Sequence, residues 1–191
     1  MNNAAYMSLV MRSDCSRSWY YPLQKGVYMD GISGMSVRDF LHEVLRFDDA
    51  YIEGTVRTIF LNNGPVDNID ETYLKDGDRM ALGSAMPGLV GIVMGRDNPF
   101  KSFRSDISAQ DGMQEADRKP ITVSVKLFST LAVESGIAVL GRGVSMDAEV
   151  LADFLADKTD SIIDADGKDG EAFVAFLRER GGRARVCVDF K

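Results

Sequence analysis

The sequence predicts an α+β protein made of two successive units, and three observations lead to this prediction. Residues 121–128 alternate between apolar and polar side chains, which is typical of a strand with one buried face. Ser36 and Ser145 each precede an apolar stripe at helical spacing, which indicates two capped helices. Between these groups, the stretch 101–120 follows neither period, as expected for a linker. We therefore predict domains at residues 1–104 and 120–191, joined by a linker or mobile loop at residues 105–119.

The first unit is predicted to run strand, strand, helix, strand, strand. Its first strand covers residues 6–11, and the aromatic and apolar residues 19–29 are its candidate partner. The helix begins after Ser36, with Asp39 as the acid of a capping box. Two further strands, residues 55–61 and 79–82, follow and are typical of a closing half-sheet, with Asn62, Asn63 and Gly64 at the turn after the first of them.

Residues 87–95, at the end of this unit, are apolar and rich in glycine. Glycine among valines often marks a bulge or a close backbone approach, so we predict a further strand or a flexible tongue here.

The second unit is predicted to run strand, strand, helix, helix, strand. Residues 121–128 form its first strand and residues 137–140 are the candidate second strand. Helices follow at residues 145–155 and 170–180, and the last strand covers residues 185–190. In both units a helix follows two strands, and residues 35–41 align with residues 145–151. We interpret the second unit as a candidate partial repeat of the first.

Composition limits the classes of partner. The chain of 191 residues has a formal net charge of −7, which opposes binding to the phosphate backbone of nucleic acid. Its longest apolar runs fall short of the roughly 20 residues that span a bilayer, so we predict no membrane partner. The first residues lack the pattern of a secretory signal, and we expect a cytoplasmic protein.

Few residues offer catalytic or metal-binding chemistry. The two cysteines, Cys15 and Cys187, form no Cys-x-x-Cys pair, and we expect Cys187 to pack as a small apolar residue. A nucleophile at Cys15 would need His42, the only histidine, and nothing in the sequence brings them together. Residues 164–171 resemble a calcium loop, but three positions of that template are mismatched, so a solvated turn is the better interpretation. We predict no catalytic residues, no metal and no cofactor.

Two segments carry a family resemblance. Residues 125–131 resemble the opening strand of the small sulfur-carrier subunit of molybdopterin synthase. Residues 60–67 and 74–79 resemble the closing half of that protein and of the sulfur carrier of thiamine synthesis. Both families have the ubiquitin-like β-grasp fold. The resemblance implies a β-grasp domain followed by a smaller α+β domain that is a candidate degenerate β-grasp.

The chain departs from these families where their chemistry takes place. Sulfur carriers use a flexible tail ending in Gly-Gly, whereas this sequence runs on to Phe190 and Lys191. Gly181 and Gly182 are the candidate tail if the chain is processed, although glycines after a helix are an ordinary stop signal.

Three functional hypotheses remain. The first is a noncatalytic protein-interaction or accessory module related in fold to sulfur carriers. It would bind another protein or a second copy of itself through an exposed apolar segment, formed by Met86, Pro87, Leu89, Val90, Ile92 and Met94. The second is a sulfur-carrier precursor that is matured by cleavage after a glycine. The third is an enzyme or ligand-binding protein with a site between the two halves.

Overall fold

The computed structural model describes residues 5–96, 98–100, 102, 104, 109 and 118–191. These residues form nine strands: β1 (Met7–Met11), β2 (Val27–Ile32), β3 (Thr58–Leu61), β4 (Gly64–Pro65), β5 (Arg79–Gly83), β6 (Pro120–Leu127), β7 (Val144–Asp147), β8 (Ile162–Ala165) and β9 (Arg183–Phe190). They also form seven α-helices: α1 (Tyr20–Lys25), α2 (Val37–Glu43), α3 (Asp49–Gly54), α4 (Gly88–Met94), α5 (Thr130–Arg142), α6 (Ala148–Leu155) and α7 (Gly170–Arg180). The chain is therefore a mixed α/β protein, in agreement with the predicted α+β class.

The chain divides into two compact units. Unit 1 contains the residues up to Pro22 together with Ser135–Lys191, and unit 2 is the continuous segment Leu23–Glu134. The bounds of these units do not coincide with the predicted domains 1–104 and 120–191, because β6 belongs to unit 2 and β1 to unit 1. Most of the predicted linker, residues 105–108 and 110–117, lies outside the described residues.

Unit 2 contains a mixed sheet with the strand order β4-β3-β5-β6-β2. β5 and β6 run parallel, with Met80 opposite Val125, and the other neighbouring pairs are antiparallel. Alternate residues of β6 are buried, because a strand turns successive side chains to opposite faces. The sheet thus has a buried face and a more exposed one.

Helix α2 begins where the sequence predicts it. Ser36 accepts a hydrogen bond from the Asp39 backbone N–H, and the Asp39 side chain accepts one from the Ser36 backbone N–H. This reciprocal capping box satisfies donors that the first turn would leave unpaired. Phe40 is fully buried, and its ring lies against Gly31 of β2. The predicted turn after β3 is also confirmed, since Asn62 and Asn63 have φ values of 50° and 74°.

Unit 1 contains a sheet with the strand order β7-β9-β1-β8. β1 and β9 are parallel, with Ser8 opposite Cys187, whereas β7 and β8 are antiparallel to β9 and β1 respectively. The core of each unit is thus a central parallel pair between two antiparallel strands. Along the chain, unit 2 begins with an outer strand, β2 beside β6, whereas unit 1 begins with a central strand, β1.

Three predictions for the strands and caps are wrong. Residues 137–140 lie inside α5 and form no strand, since a short apolar run fits a buried helix as well as a strand. Residues 13–25 are helical, and the ladder partner of β2 is β6. Helix α6 is capped by Asp147, whose carboxylate accepts from Glu149 N and Val150 N, while Ser145 lies in β7.

The remaining predicted elements are confirmed within a few residues. They are β1, β3, β5, β6, α7 and β9. Among the described residues, every helix is too short to cross a bilayer.

Candidate interaction site at the helix 88–94

Helix α4 follows β5 through a short connection, and it corrects the prediction of a strand or a flexible tongue. The positions from Gly83 to Gly95 carry no charged side chain, although 27% of the whole chain is charged. Gly91 is required by close packing, because a Cβ atom there would lie 2.0 Å from the carbonyl oxygen of Met86. The missing side chain lets the backbone of Met86 pack directly on the helix.

The helix exposes large apolar side chains. Leu89 is 75% exposed and Ile92 is 52% exposed, and Met86 and Phe100 beside the helix are also exposed. We call Met86, Leu89, Ile92 and Phe100 the apolar surface. Of the other residues predicted for this site, Pro87 is exposed and Met94 is half-buried, while the side chain of Val90 lies outside the described residues. An uncharged, exposed helix of this kind is typical of a surface that another molecule covers.

Arg96 fixes the end of the helix to the body of unit 2. Its side chain is 3% exposed and donates to the carbonyl oxygens of Ile52 at 2.7 Å and Val56 at 3.1 Å. These carbonyls belong to the last turn of α3 and the residues after it, where helical carbonyls lack intrahelical partners. The backbone N–H of Arg96 also donates to the carbonyl oxygen of Arg57, at 2.8 Å. Arg96 therefore joins α4 to α3 by main-chain and side-chain contacts.

Arg104 also binds the carboxyl end of this helix. Its guanidinium is 2% exposed and forms a bidentate pair with the Asp67 carboxylate, at 2.6 and 3.0 Å. It also donates to the carbonyl oxygens of Val93, at 2.5 Å, and Gly95, at 3.2 Å. A bidentate, charge-assisted pair is among the strongest hydrogen-bonded contacts in proteins. The apolar surface thus lies on a helix whose carboxyl end is held rigidly.

A cavity of about 260 Å³ adjoins the apolar surface. Ala85, Met86, Ile92 and Pro99 line its apolar part, and the polar part of the lining includes Arg57, Thr58, Arg96 and Asn98. Asn98 is held in place because its side chain donates to the Val93 carbonyl oxygen at 2.7 Å. This volume is enough for one large apolar side chain.

A second cavity, of about 330 Å³, is polar. It lies beside Arg38, which pairs with Asp70 at 2.5 Å and with Glu53 at 2.8 Å. The hydrogen bond that Arg38 donates to Asp70, followed by the one that it donates to Glu53, holds the pKa of Arg38 above its ordinary value. Arg96, which lies 3.5 Å from Glu53, and Arg104, which pairs with Asp67, balance the remaining carboxylates of the lining, so the cavity favours no ligand of one sign.

The structure places the cysteines and the histidine considered above in different local surroundings. His42 lies 2.9 Å from the Asp49 carboxylate in unit 2, and Cys15 belongs to unit 1. Partial burial, and secondarily Asp14, raises the pKa of the Cys15 thiol, which works against a thiolate nucleophile. Cys187 is half-buried in β9.

The candidate carrier tail lies between two regular elements. Gly181 and Gly182 have φ values of 60° and 63° and connect the end of α7 to β9. The Gly182 carbonyl oxygen accepts a hydrogen bond from Ala148 N at 2.8 Å. Within residues 164–171, a tight turn connects β8 to α7. In this turn the backbones of Ala165 and Lys168 hydrogen-bond to each other. Within the described part of the chain, no group of three or more potential metal-binding side chains comes together.

The sequence analysis missed the residues that hold the site, namely Arg96, Arg104 and Asp67. Arg96 directly follows the uncharged residues 83–95. This position could have indicated that Arg96 anchors the apolar segment. Arg104 and Asp67 are 37 positions apart, and only the fold reveals their pairing.

No known protein family, no curated protein and no solved structure matches the chain.

Proposed function

We propose that the protein is a noncatalytic interaction module whose unit 2 has a β-grasp fold related to that of sulfur carriers. The order of strands in unit 2 supports the fold. In a β-grasp, the first and last strands lie parallel at the centre of the sheet, and each has an antiparallel strand on its outer side. β6 and β5 fit these two roles, with β2 beside β6 and β3 beside β5.

In this proposal the β-grasp is circularly permuted. β6 would be its first strand but comes last along unit 2, after β2, α2, β3, β4 and β5. The sequence resemblance agrees with this assignment, because residues 125–131 resemble an opening strand and residues 60–67 and 74–79 a closing half. Unit 1 is proposed as a diverged repeat, since it has the same central parallel pair with antiparallel neighbours.

A fold alone does not specify a function, so the functional proposal depends on the apolar surface. The functional proposal rests on one observation. The helix that exposes Leu89 is held at its end by two buried arginines. Burying a guanidinium group costs free energy unless the group is fully hydrogen-bonded. Here the two buried guanidinium groups keep an apolar helix in one orientation. A surface ordered before binding loses less conformational entropy when a partner covers it.

The partner that fits is a protein with one large apolar side chain for the cavity. The apolar surface consists of a few residues, compared with the roughly 20–30 that each side of a stable complex contributes, which favours a transient partner.

Co-purification from the native cells tests the proposal. The tagged full chain is compared with a variant carrying Leu89→Asp and Ile92→Asp, which removes the apolar character of the surface. Val150→Asp is the matched control, because Val150 is an equally exposed apolar residue, at 57%, on α6 of unit 1. We expect a partner that is retained by the wild type and by Val150→Asp and lost from the double variant. Equal recovery from all three proteins would contradict the proposal.

The intact mass of the protein recovered from the same cells distinguishes our proposal from the carrier-precursor hypothesis. A noncatalytic module remains uncleaved after Gly182 under all growth conditions. A species ending at Gly182, or one carrying a thiocarboxylate, would contradict our proposal and favour the precursor.

A further inference from the structure

The sheet of unit 1 depends on a strand from the beginning of the chain. β1 lies between β9 and β8, and within the described residues β1 is the only strand that forms a ladder with β8. Without β1, the remaining strands of unit 1 would leave a gap of one strand in the middle of their sheet. An exposed pair of edges of this kind is a ready template for an added strand.

Residues 5–22, which we call the donor segment, bring a substantial core contribution with them. Leu9, Met11 and Trp19 are fully buried. The Trp19 ring packs edge-on against Phe154 with centroids 4.9 Å apart, and its N–H donates to the sulfur of Met11. Burying these three large apolar side chains removes apolar surface from water and so stabilises the bound donor segment.

Main-chain hydrogen bonds fix both the direction and the register of the donor segment. Arg12 N donates to the Ser161 carbonyl oxygen, and Ser13 N to that of Lys191, both at 2.8 Å. In return, Lys191 N donates to the Met11 carbonyl oxygen at 2.9 Å. β1 therefore binds as an extended strand in a defined groove between β8 and β9, and the three partners named here, Ser161, Lys191 and Phe154, all lie in residues 135–191.

The connection between donor and groove is long. The whole of unit 2, a continuous and compact segment, separates Pro22 from Ser135 in sequence. While this connection is still unfolded and flexible, during refolding, the donor segment has an effective concentration on the order of millimolar, so donor segments of other copies compete at comparable protein concentrations. Exchange of an identical element between copies keeps every native contact and is a low-cost route to a dimer.

We propose that the groove between β8 and β9 accepts the donor segment of a second copy of this chain, which gives a reciprocal strand-exchanged dimer. This inference is independent of the proposed function, because it involves only unit 1.

A disulfide between two copies tests the exchange. Ser8 lies opposite Cys187 in the parallel β1/β9 pair, and both side chains point to the more exposed face. The donor copy carries Ser8→Cys, Cys15→Ser and Cys187→Ser. The acceptor copy carries only Cys15→Ser and keeps Cys187. Both are full-length, carry different mass tags, and are unfolded and refolded together at millimolar concentration before oxidation.

We expect a disulfide between the two copies after refolding together at millimolar concentration and little of it after refolding at micromolar concentration. In the matched control, the donor cysteine is at Val10, which lies opposite Asp189, two residues out of register with Cys187. This control should form much less of the disulfide.

A single chain with Ser8→Cys and Cys15→Ser establishes that the geometry allows the bond, either as a disulfide or through a short bis-maleimide. If that chain is linked internally but no link joins two copies at millimolar concentration, the exchange is excluded. If neither link forms, the β1/β9 register on which the proposal depends is wrong. If the Val10 control links the copies equally well, the link is nonspecific and the proposal fails.

Discussion

Two buried guanidinium groups determine how the apolar surface is presented. Arg96 and Arg104 each donate to backbone carbonyls at or near the end of a helix, α3 for Arg96 and α4 for Arg104. A carbonyl at a helix end is unpaired and lies at the negative end of the helix dipole, so a cation there is doubly favourable. The exposure of Leu89 is therefore a consequence of interactions beneath the helix.

Replacing Arg104 by leucine should release the end of α4. The change leaves the Asp67 carboxylate and the Gly95 carbonyl without the Arg104 donor, and leaves the Val93 carbonyl with Asn98 alone, at a cost of roughly 3 kcal/mol. Exchange of the Gly95 and Arg96 amide hydrogens, which bond to Gly91 and Arg57 carbonyls, should become about a hundredfold faster, since 1.4 kcal/mol corresponds to a factor of ten. Amide exchange followed by mass spectrometry measures this.

The matched control is Arg178→Leu, which breaks an exposed pair with Asp153 on unit 1. Exposed pairs contribute less than about 1 kcal/mol, so this variant should leave exchange in residues 88–96 unchanged. Equal exchange in Arg104→Leu and wild type would show that Arg104 does not anchor the helix.

The reactivity of Cys187 should depend on pH in a predictable direction. Burial, and secondarily the nearby Asp189 carboxylate, raises the pKa of this thiol. Because the thiolate is the reactive form, the alkylation rate at neutral pH should be below that of a free cysteine and should rise to a midpoint at higher pH. Asp189→Asn removes the smaller cause and should lower that midpoint. Iodoacetamide labelling measured by peptide mass spectrometry gives both midpoints, and a wild-type midpoint below that of free cysteine would contradict the structure.

At the scale of elements, local signals predicted those parts of the fold that depend on local interactions. The capping box of Ser36 and Asp39 fixed the start of α2, and the two asparagines fixed the turn after β3. The sequence failed where tertiary contacts decide the conformation. The helix α4 forms despite three glycines within residues 88–95 because Arg96 and Arg104 hold its end, and glycine costs about 1 kcal/mol in an unsupported helix.

Gly91 is the position of α4 that tolerates change least. Gly91→Ala places a methyl group against the Met86 backbone, so the helix or the connection must shift, at a cost of about 1–3 kcal/mol. Gly54→Ala on α3 is the matched control, because no atom lies within 4 Å of the added Cβ. That change should be neutral or stabilising, by up to about 1 kcal/mol. Thermal unfolding compares the two variants, and a fully stable Gly91→Ala protein would refute the close packing.

At the scale of the whole molecule, the order of strands was beyond prediction from one sequence. The strands β1 and β6 were recognised, but β1 was assigned to the predicted domain 1–104 and β6 to the predicted domain 120–191. In the structure β1 belongs to unit 1 and β6 to unit 2. Nothing local shows that β6 pairs with β2 and β5, since strand pairing depends on contacts between residues far apart in sequence. The apolar segment was predicted because its apolar residues, its glycines and its lack of charge are visible in the sequence, whereas its anchors were not.

The division of the chain predicts that unit 2 folds alone and that the rest does not. The fragment 23–134 contains the five strands β2 to β6 with both members of their central parallel pair, so it should unfold in one cooperative transition. The fragment 135–191 lacks β1 and should show little protection of its amide hydrogens. Circular dichroism and hydrogen exchange of the two fragments test this, and a stably folded fragment 135–191 would contradict the role of β1.

The central claim is that the protein acts by presenting the apolar surface of unit 2 to a protein partner. The most direct test places a photo-crosslinking amino acid at Leu89 in the full chain within the native cells, with the same amino acid at Val150 as control. Our account predicts a discrete protein adduct from position 89 that is absent from position 150 and disappears when Ile92→Asp is added. Absence of any adduct specific to position 89, or the same adducts from both positions, would contradict it.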